Sequence, residues 1–412
     1  MLHFLYYIKR SGTAWLACLL CCCYLTANAQ YFDMDSTRHA TIPFKLVRNL
    51  VVIQLKINNK GHFNFVLDTG VGFMLITEPS LADSIHIINK RTIKISGFGE
   101  GKDFEAYTTP PLKVEIPGLV SHNVTASILK KDLFNLSNYA GMQIDGLLGY
   151  EFFSRLAVRV NFSDSTINVA DPKDMRFFKR GTRIPISIQD RKPYFTTKIV
   201  YADGTEKSSK LIIDLGAGHF ISMENVENKT RFEKKSIRAN LGMGIKGLIT
   251  GSLSRITEVD LGKYKMRHLI AAFPDSDTRS LTIKRDGNLG MGLLKKFDII
   301  FDYPDSVMYL RPNADFKTPA EHDMSGLSYY SAGDDYNHVI INKVDQDSPA
   351  DNIGLEEGDE LVSINFRPVT KMSLQQIDNL FKSSDGHVLV LVIYRAEDKQ
   401  YYRLPLILKR RI

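Results

Sequence analysis

Two Asp-containing turns carry the chemistry that this sequence offers. Phe65-Val66-Leu67 runs into Asp68-Thr69-Gly70, and Leu211-Ile212-Ile213 runs into Asp214-Leu215-Gly216. A carboxylate that follows three apolar residues is costly to bury unless it is hydrogen-bonded or partnered. The glycine two positions on permits a tight turn and frees N–H groups to aim at the carboxylate. Two such turns brought face to face would share one proton, since adjacent carboxylates resist double ionisation. The ionised partner could then act as general base on a water. The protonated one could polarise a carbonyl and later protonate a leaving nitrogen. Taken singly, Asp-Thr-Gly is ordinary turn chemistry. Its repetition in register favours a site.

The elements that must position these residues repeat as well. The two turns lie 214 − 68 = 146 residues apart. Asp145-Gly146-Leu147-Leu148-Gly149 matches Asp286-Gly287-Asn288-Leu289-Gly290 at 286 − 145 = 141, and Ile42-Pro43-Phe44 matches Ile184-Pro185-Ile186 at 184 − 42 = 142. The period is too long for a solenoid and reads as a duplicated half. From residue 40 to 316 the texture is β, with short alternating runs such as Val51 to Ile57 between Gly-, Pro- and Asn-rich turns. Short helices are expected over Glu151 to Leu156 and Leu293 to Phe297. From about Met324 the pattern changes. Val339 to Val344 reads as a strand, Ser348-Pro349-Ala350 opens a short helix, and Leu374 to Phe381 has helical spacing. Val388 to Tyr394 and Tyr402 to Leu408 read as closing strands.

Residues 40–316 resemble aspartic peptidases of the pepsin and retropepsin clan, most nearly a secreted bacterial group with a duplicated protease half and a PDZ domain. Asp68-Thr69-Gly70 matches the catalytic triplet. Leu147-Leu148-Gly149 and Asn288-Leu289-Gly290 match the second signature, an apolar pair and a glycine packed on the catalytic turn, although Asn288 stands where an apolar residue is usual. The resemblance implies Asp68 and Asp214 as catalytic residues, supported by Thr69, Gly70, Leu215, Gly216, Gly149 and Gly290. It implies substrate flaps at Gly97, Phe98 and Gly99 and at Gly242, Gly244 and Gly247, where glycines permit a mobile hairpin tip. Leu215 departs from the clan, which has Thr or Ser there to tie the two turns together. Residues 324–412 resemble a PDZ domain in Ser348-Pro349-Ala350, Gly354-Leu355, Gly358-Asp359 and Ile364-Asn365. That resemblance implies capture of a peptide or a protein C-terminus by strand addition, with Gly326, Leu327 and Ser328 at the carboxylate-binding loop. The alternative for this segment is a domain that only packs on the protease body.

Other chemistries find less support. Gly242 to Gly247 spells Gly-x-Gly-x-x-Gly, but β-like residues follow where a dinucleotide site needs a helix. His219 has no Gly-x-Ser-x-Gly nucleophile to serve. No His-Glu-x-x-His is present, so no metal is expected, and the dyad needs no cofactor. Four Asn-x-Ser/Thr sequons, such as Asn123-Val124-Thr125, bear on glycosylation only in a host that performs it.

Residues 1–29 read as a secretory signal. Lys9-Arg10 precedes an apolar Trp15 to Leu25 too short for an untilted span, and Ala27-Asn28-Ala29 supplies a cleavage site. Leu16-Ala17-Cys18 is a poorer, lipoprotein-type alternative. The expected location is secreted or periplasmic, and no later segment reads as a membrane span. All four cysteines, Cys18, Cys21, Cys22 and Cys23, fall in the signal. The remainder therefore has no disulfide and no thiolate nucleophile. The net charge of +7 falls to 7 − 2 = +5 without Lys9 and Arg10. It is dispersed among acids without interleaved aromatics, so nucleic-acid binding is not expected.

The expected fold class is all-β, two duplicated pepsin/retropepsin-like acid-protease barrels as two lobes, plus a small α+β PDZ-like domain. The expected boundaries are 1–29 for the signal, 40–181 and 182–316 for the lobes, and 324–412 for the PDZ-like domain. The expected function is a secreted aspartic-type endopeptidase acting on polypeptides, monomeric because both halves share one chain. Two rivals are a decayed, protease-like peptide-binding scaffold and a pair of retropepsin-like units that dimerise between chains.

Overall fold

The computed structural model describes residues 32–35, 37–95, 104–226, 236–244, 247–275 and 283–412. Its first half is organised by a hairpin, Leu50–Ile57 paired with Lys60–Leu67. Asn58 and Asn59 turn it at φ of 52° and 63°, the paired left-handed geometry that two-residue hairpins require and asparagine tolerates. Phe65, Val66 and Leu67 are buried, because the strand is covered on both faces where it approaches Asp68. Gly146–Leu148 lies parallel to it, with Leu148 opposite Leu67, and pairs antiparallel with Met74–Ile76.

The second half repeats this arrangement strand for strand. Lys192–Val200 pairs with Glu206–Ile213. Gly287–Leu289 runs parallel to the latter, with Leu289 opposite Ile213, and antiparallel to Ile221–Met223. The short helices after the second signatures are Tyr150–Phe153 and Met291–Leu294. Both end earlier than the sequence pattern suggests. Ala157 and Phe297 already open strands, whose β-branched and aromatic residues favour extension over helix.

Those strands build a sheet to which both halves contribute. Its order is Thr182–Pro185, Val307–Pro312, Phe297–Asp302, Ala157–Asn161, Thr166–Ala170, His39–Pro43. The join is antiparallel, with Val158 opposite Phe301. A stack of Phe152, Phe153, Phe301 and Tyr303 packs beside it. One apolar cluster consequently runs through both halves.

The C-terminal segment has its own apolar cluster, from Met324 to Leu408. Its sheet order is Leu327–Ala332, His338–Val344, Glu360–Ile364, Val388–Arg395, Gln400–Ile407. Leu327–Ala332 is an edge strand of that sheet. The helix Leu374–Phe381 opens on a capping box, Ser373 with Gln376, and buries Leu374, Ile377, Asp378 and Phe381. The chain is thus mostly β, with duplicated halves and a separate small sheet with its own helix at the C-terminal end. Among the described residues no helix is long and apolar enough to cross a membrane.

Candidate active site

Asp68 and Asp214 leave their strands in the same way. The Asp68 N–H donates to Leu148 O at 3.0 Å and the Asp214 N–H to Leu289 O at 2.9 Å, so each second-signature strand anchors one turn. Within each turn the glycine N–H donates back to the carboxylate, Gly70 to Asp68 Oδ1 at 2.7 Å and Gly216 to Asp214 Oδ1 at 2.9 Å. The glycines also set the separation of the turns. A Cβ on Gly70 would lie 2.6 Å from Asp214 Oδ2, and one on Gly216 would lie 2.3 Å from Asp68 Cγ. Each carboxyl group therefore rests on the opposite glycine, and any side chain there would push the pair apart. Gly149 and Gly290 act one layer below. A Cβ on them would meet Val71 O at 2.2 Å and His219 O at 2.4 Å.

The two acids are inequivalent. The Asp68 carboxyl is held well above the usual carboxylate range by burial, then by the charge of Asp214 and the hydrogen bond between them. Asp68 is therefore the proton-bearing member. Asp214 Oδ2 accepts from Asn288 Nδ2 at 2.6 Å, in addition to the Gly216 N–H on Oδ1. Asp214 thus has a donor on each carboxyl oxygen, whereas the Asp68 carboxyl has the Gly70 N–H on Oδ1. The sequence pattern marks Asn288 as a flaw in an apolar signature. The structure corrects that reading, because Asn288 is a hydrogen-bond donor to the dyad.

Thr69 ties the turns together. Its Oγ1 donates to Ile213 O at 2.7 Å and accepts from the Leu215 N–H at 3.0 Å. Leu215 has no hydroxyl to return the bond and instead packs fully buried in the main apolar cluster. The tie is one-sided, as the residue type implies. A second tether is duplicated. Lys45–Val47 and Ser187–Gln189 each enter a two-residue turn, Arg48-Asn49 and Asp190-Arg191, with positive φ at all four residues. Asn49 Nδ2 donates to Gly218 O at 2.9 Å, and Arg191 Nη1 reaches Gly72 O at 3.5 Å. Each half thus reaches the residue two past the glycine of the other half's Asp turn.

Further buried polar groups surround the pair. His219 lies against Asn288, and burial pushes its imidazole below the ordinary range. Arg285 makes a two-pronged bond to Glu224, Nε to Oε2 at 2.7 Å and Nη2 to Oε1 at 2.9 Å. The Tyr303 hydroxyl is buried without a hydrogen-bond partner. Burial raises its pKa far above the phenol range, and the charges of Asp68 and Asp214 raise it further. In the sequence Asn288 is visible only as a variant at an aligned position of the repeat, and nothing there marks Tyr303. Among the described residues no group of three or more His, Cys, Asp or Glu is placed to hold a metal ion.

The remaining site expectations divide. Gly97, Phe98 and Gly99 lie outside the described residues, although Arg91–Ile95 and Phe104–Thr108 on either side pair antiparallel. Gly242, Gly244 and Gly247 lie on a hairpin of Ile237–Gly244 with Gly247–Leu261, Gly244 opposite Gly247 and Gly242 at φ 120°. At the expected carboxylate loop, Gly326, Leu327 and Ser328, the first two N–H groups are bonded internally. Asp323 Oδ1 accepts from the Ser325 and Gly326 N–H groups at 3.0 and 2.7 Å, and Ser325 Oγ accepts from the Leu327 N–H at 3.1 Å. An internal carboxylate and hydroxyl thus take the Gly326 and Leu327 donors of this loop.

No curated protein matches the chain. Among solved structures it is similar to an aspartic proteinase from Irpex lacteus, at 12% identity and TM-score 0.46, over 68% of this chain and 99% of that one. It is also similar to basic 7S globulin from soybean, at 8% identity and TM-score 0.39, over 70% and 98%. The family model for aspartyl proteases matches residues 53–152, and that for PDZ domains matches residues 340–395. By these matches the chain carries an aspartyl-protease segment followed by a PDZ domain.

Proposed function

We propose that this protein is a secreted aspartic-type endopeptidase in which Asp68 and Asp214 activate a water against a peptide bond. The observation that carries this reading is the mutual packing of the two carboxyl groups on Gly216 and Gly70. In the proposed step Asp214 takes a proton from the water as its oxygen attacks the carbonyl carbon. Asp68 gives its proton to the carbonyl oxygen. On collapse of the tetrahedral adduct the proton for the leaving nitrogen comes from Asp214, which took it from the water, rather than from the initially protonated acid as the sequence reading has it, and Asp68 recovers its own. Both acids come from one chain, so a monomer suffices, which sedimentation would check. Residues 1–29 act as the export signal, and the PDZ domain holds peptides or partners.

The test is digestion of a diverse peptide mixture by residues 30–412, read by mass spectrometry from about pH 3 to pH 8. Cleavage should disappear in Asp68→Asn and in Asp214→Asn, with unchanged circular dichroism. The double variant should be no worse than either single one. Cleavage that survives either substitution would overturn the mechanism. One observation favours a second reading, a peptide-holding scaffold with a decayed site. Leu215 leaves the tie between the turns one-sided. A folded wild type inert at every pH would select that reading.

A further inference from the structure

The first lobe inserts a charged side chain into the C-terminal domain. Arg48 Nε and Nη2 donate to Asp378 Oδ2 and Oδ1, both at 3.1 Å, and Nη1 donates to Tyr329 O at 3.1 Å and Tyr139 O at 3.2 Å. Its guanidinium lies 4.4 Å from the Tyr139 ring centroid and 4.9 Å from that of Tyr329. Tyr329 belongs to the edge strand Leu327–Ala332, and its hydroxyl also donates to Asp378 on the helix Leu374–Phe381. Arg48 therefore bridges edge strand and helix. Beside it Gly141 ends the helix Leu136–Ala140 at φ 67°. A Cβ on Gly141 would lie 3.1 Å from Ser331 Oγ on the strand and 3.3 Å from Leu374 on the helix.

Two features make this more than incidental packing. A buried guanidinium is tolerated only when its donors are satisfied, and here four N–H bonds and two aromatic faces are supplied by both partners. The positive φ of Arg48, 46°, recurs at the equivalent Asp190, 48°, and belongs to the duplicated turn. Its burial does not recur, since Asp190 is exposed, so the duplication leaves the placement of the Arg48 side chain unexplained.

We propose that the edge strand Leu327–Ala332 and the helix Leu374–Phe381 form a groove for an extended, arginine-bearing peptide, and that the Arg48 turn and Gly141 occupy this groove as an internal stand-in. The proposal rests on the peptide-binding reading of the PDZ domain and not on the dyad. The added segment would lie along the edge strand and direct its arginine to Asp378. Binding would not depend on a free C-terminus, because Asp323 and Ser325 already take the N–H groups of the loop. Entry requires the Arg48 turn to leave. The adjacent Asn49 holds Gly218 O, so the occupant of the groove and the Asp214 turn share one hairpin.

The test uses residues 30–412 carrying Asp68→Asn, so that no probe is cut. Short Thr- and Val-rich peptides with a central arginine, amidated and labelled with fluorescein, are titrated by fluorescence anisotropy. A matched probe carries glutamine in place of arginine. Arg48→Ala should tighten binding of the arginine probe roughly tenfold over wild type, without a gain for the glutamine probe. Tyr139→Ala should act in the same direction without leaving Asp378 unpaired, which guards against misfolding of the first variant. Equal affinity in wild type and both variants would overturn the occlusion while leaving peptide binding by the domain intact. No binding by any variant would overturn both.

Discussion

Replacing Asn288 by Leu separates the structural reading from the signature pattern. The substitution makes Gly287-Asn288-Leu289 match Gly146-Leu147-Leu148, so by pattern it repairs a defect. By structure it removes a donor 2.6 Å from Asp214 Oδ2. A hydrogen bond to a charged group contributes about 1.5–3 kcal/mol, and one pH unit corresponds to about 1.4 kcal/mol. The lower of the dyad's two apparent pKa values should therefore rise by about 1–2 units, since the carboxylate loses a group that favours its charge. The two side chains branch at the same carbon and have the same number of heavy atoms, and position 147 of the first half already holds leucine, so the fold should persist. The assay is kcat/KM for a peptide substrate across the acid limb, with thermal unfolding alongside. An acid limb that stays in place, or a gain in activity at low pH, would refute the role assigned to Asn288.

Leu215→Thr should raise turnover by returning the missing hydroxyl to the tie between the turns. The lost Leu burial and two regained hydrogen bonds, each about 1 kcal/mol, nearly offset one another in stability. Unchanged kcat in a folded variant would show that the one-sided tie suffices. Glu151 is buried with one carboxyl oxygen unpartnered, and burial lifts it from an ordinary 4.5 to about 7. The folded chain then keeps a proton that the unfolded chain releases, so this contribution is full below pH 4.5 and is lost as pH rises through about 7. The loss amounts to roughly 3 kcal/mol. Glu151→Gln should flatten urea-measured stability across that window, and parallel curves for the two proteins would contradict the assignment.

The duplicated β architecture was legible because the repeat is written in short blocks whose geometry admits few alternatives. Gly146 and Gly287 must pass within 2.2 and 2.0 Å of carbonyls at their Cβ positions, so their glycines recur. Functional side chains outside the blocks left no such trace. Arg48 finds Asp378 across 330 residues of sequence, and no periodicity marks either. Asn288 was visible but misjudged, since a pattern records departure and not what the departing atom touches. At Gly326 the sequence fits a carboxylate cradle, and the internal acceptor Asp323 lies just outside the motif.

The sheet shared by the two halves also bears on how the chain is made. Val160 meets its partner Ile299 only after 299 − 160 = 139 further residues have been added. Synthesis runs from the N-terminus at a pace of seconds for such a length. For that interval the first half has an open strand edge at Ala157–Asn161, with backbone donors and acceptors unpaired. An open edge is a template for another copy of the same edge. Assembly order is therefore a constraint that this fold carries from birth. The second half seals a seam that would otherwise join neighbouring nascent chains to one another.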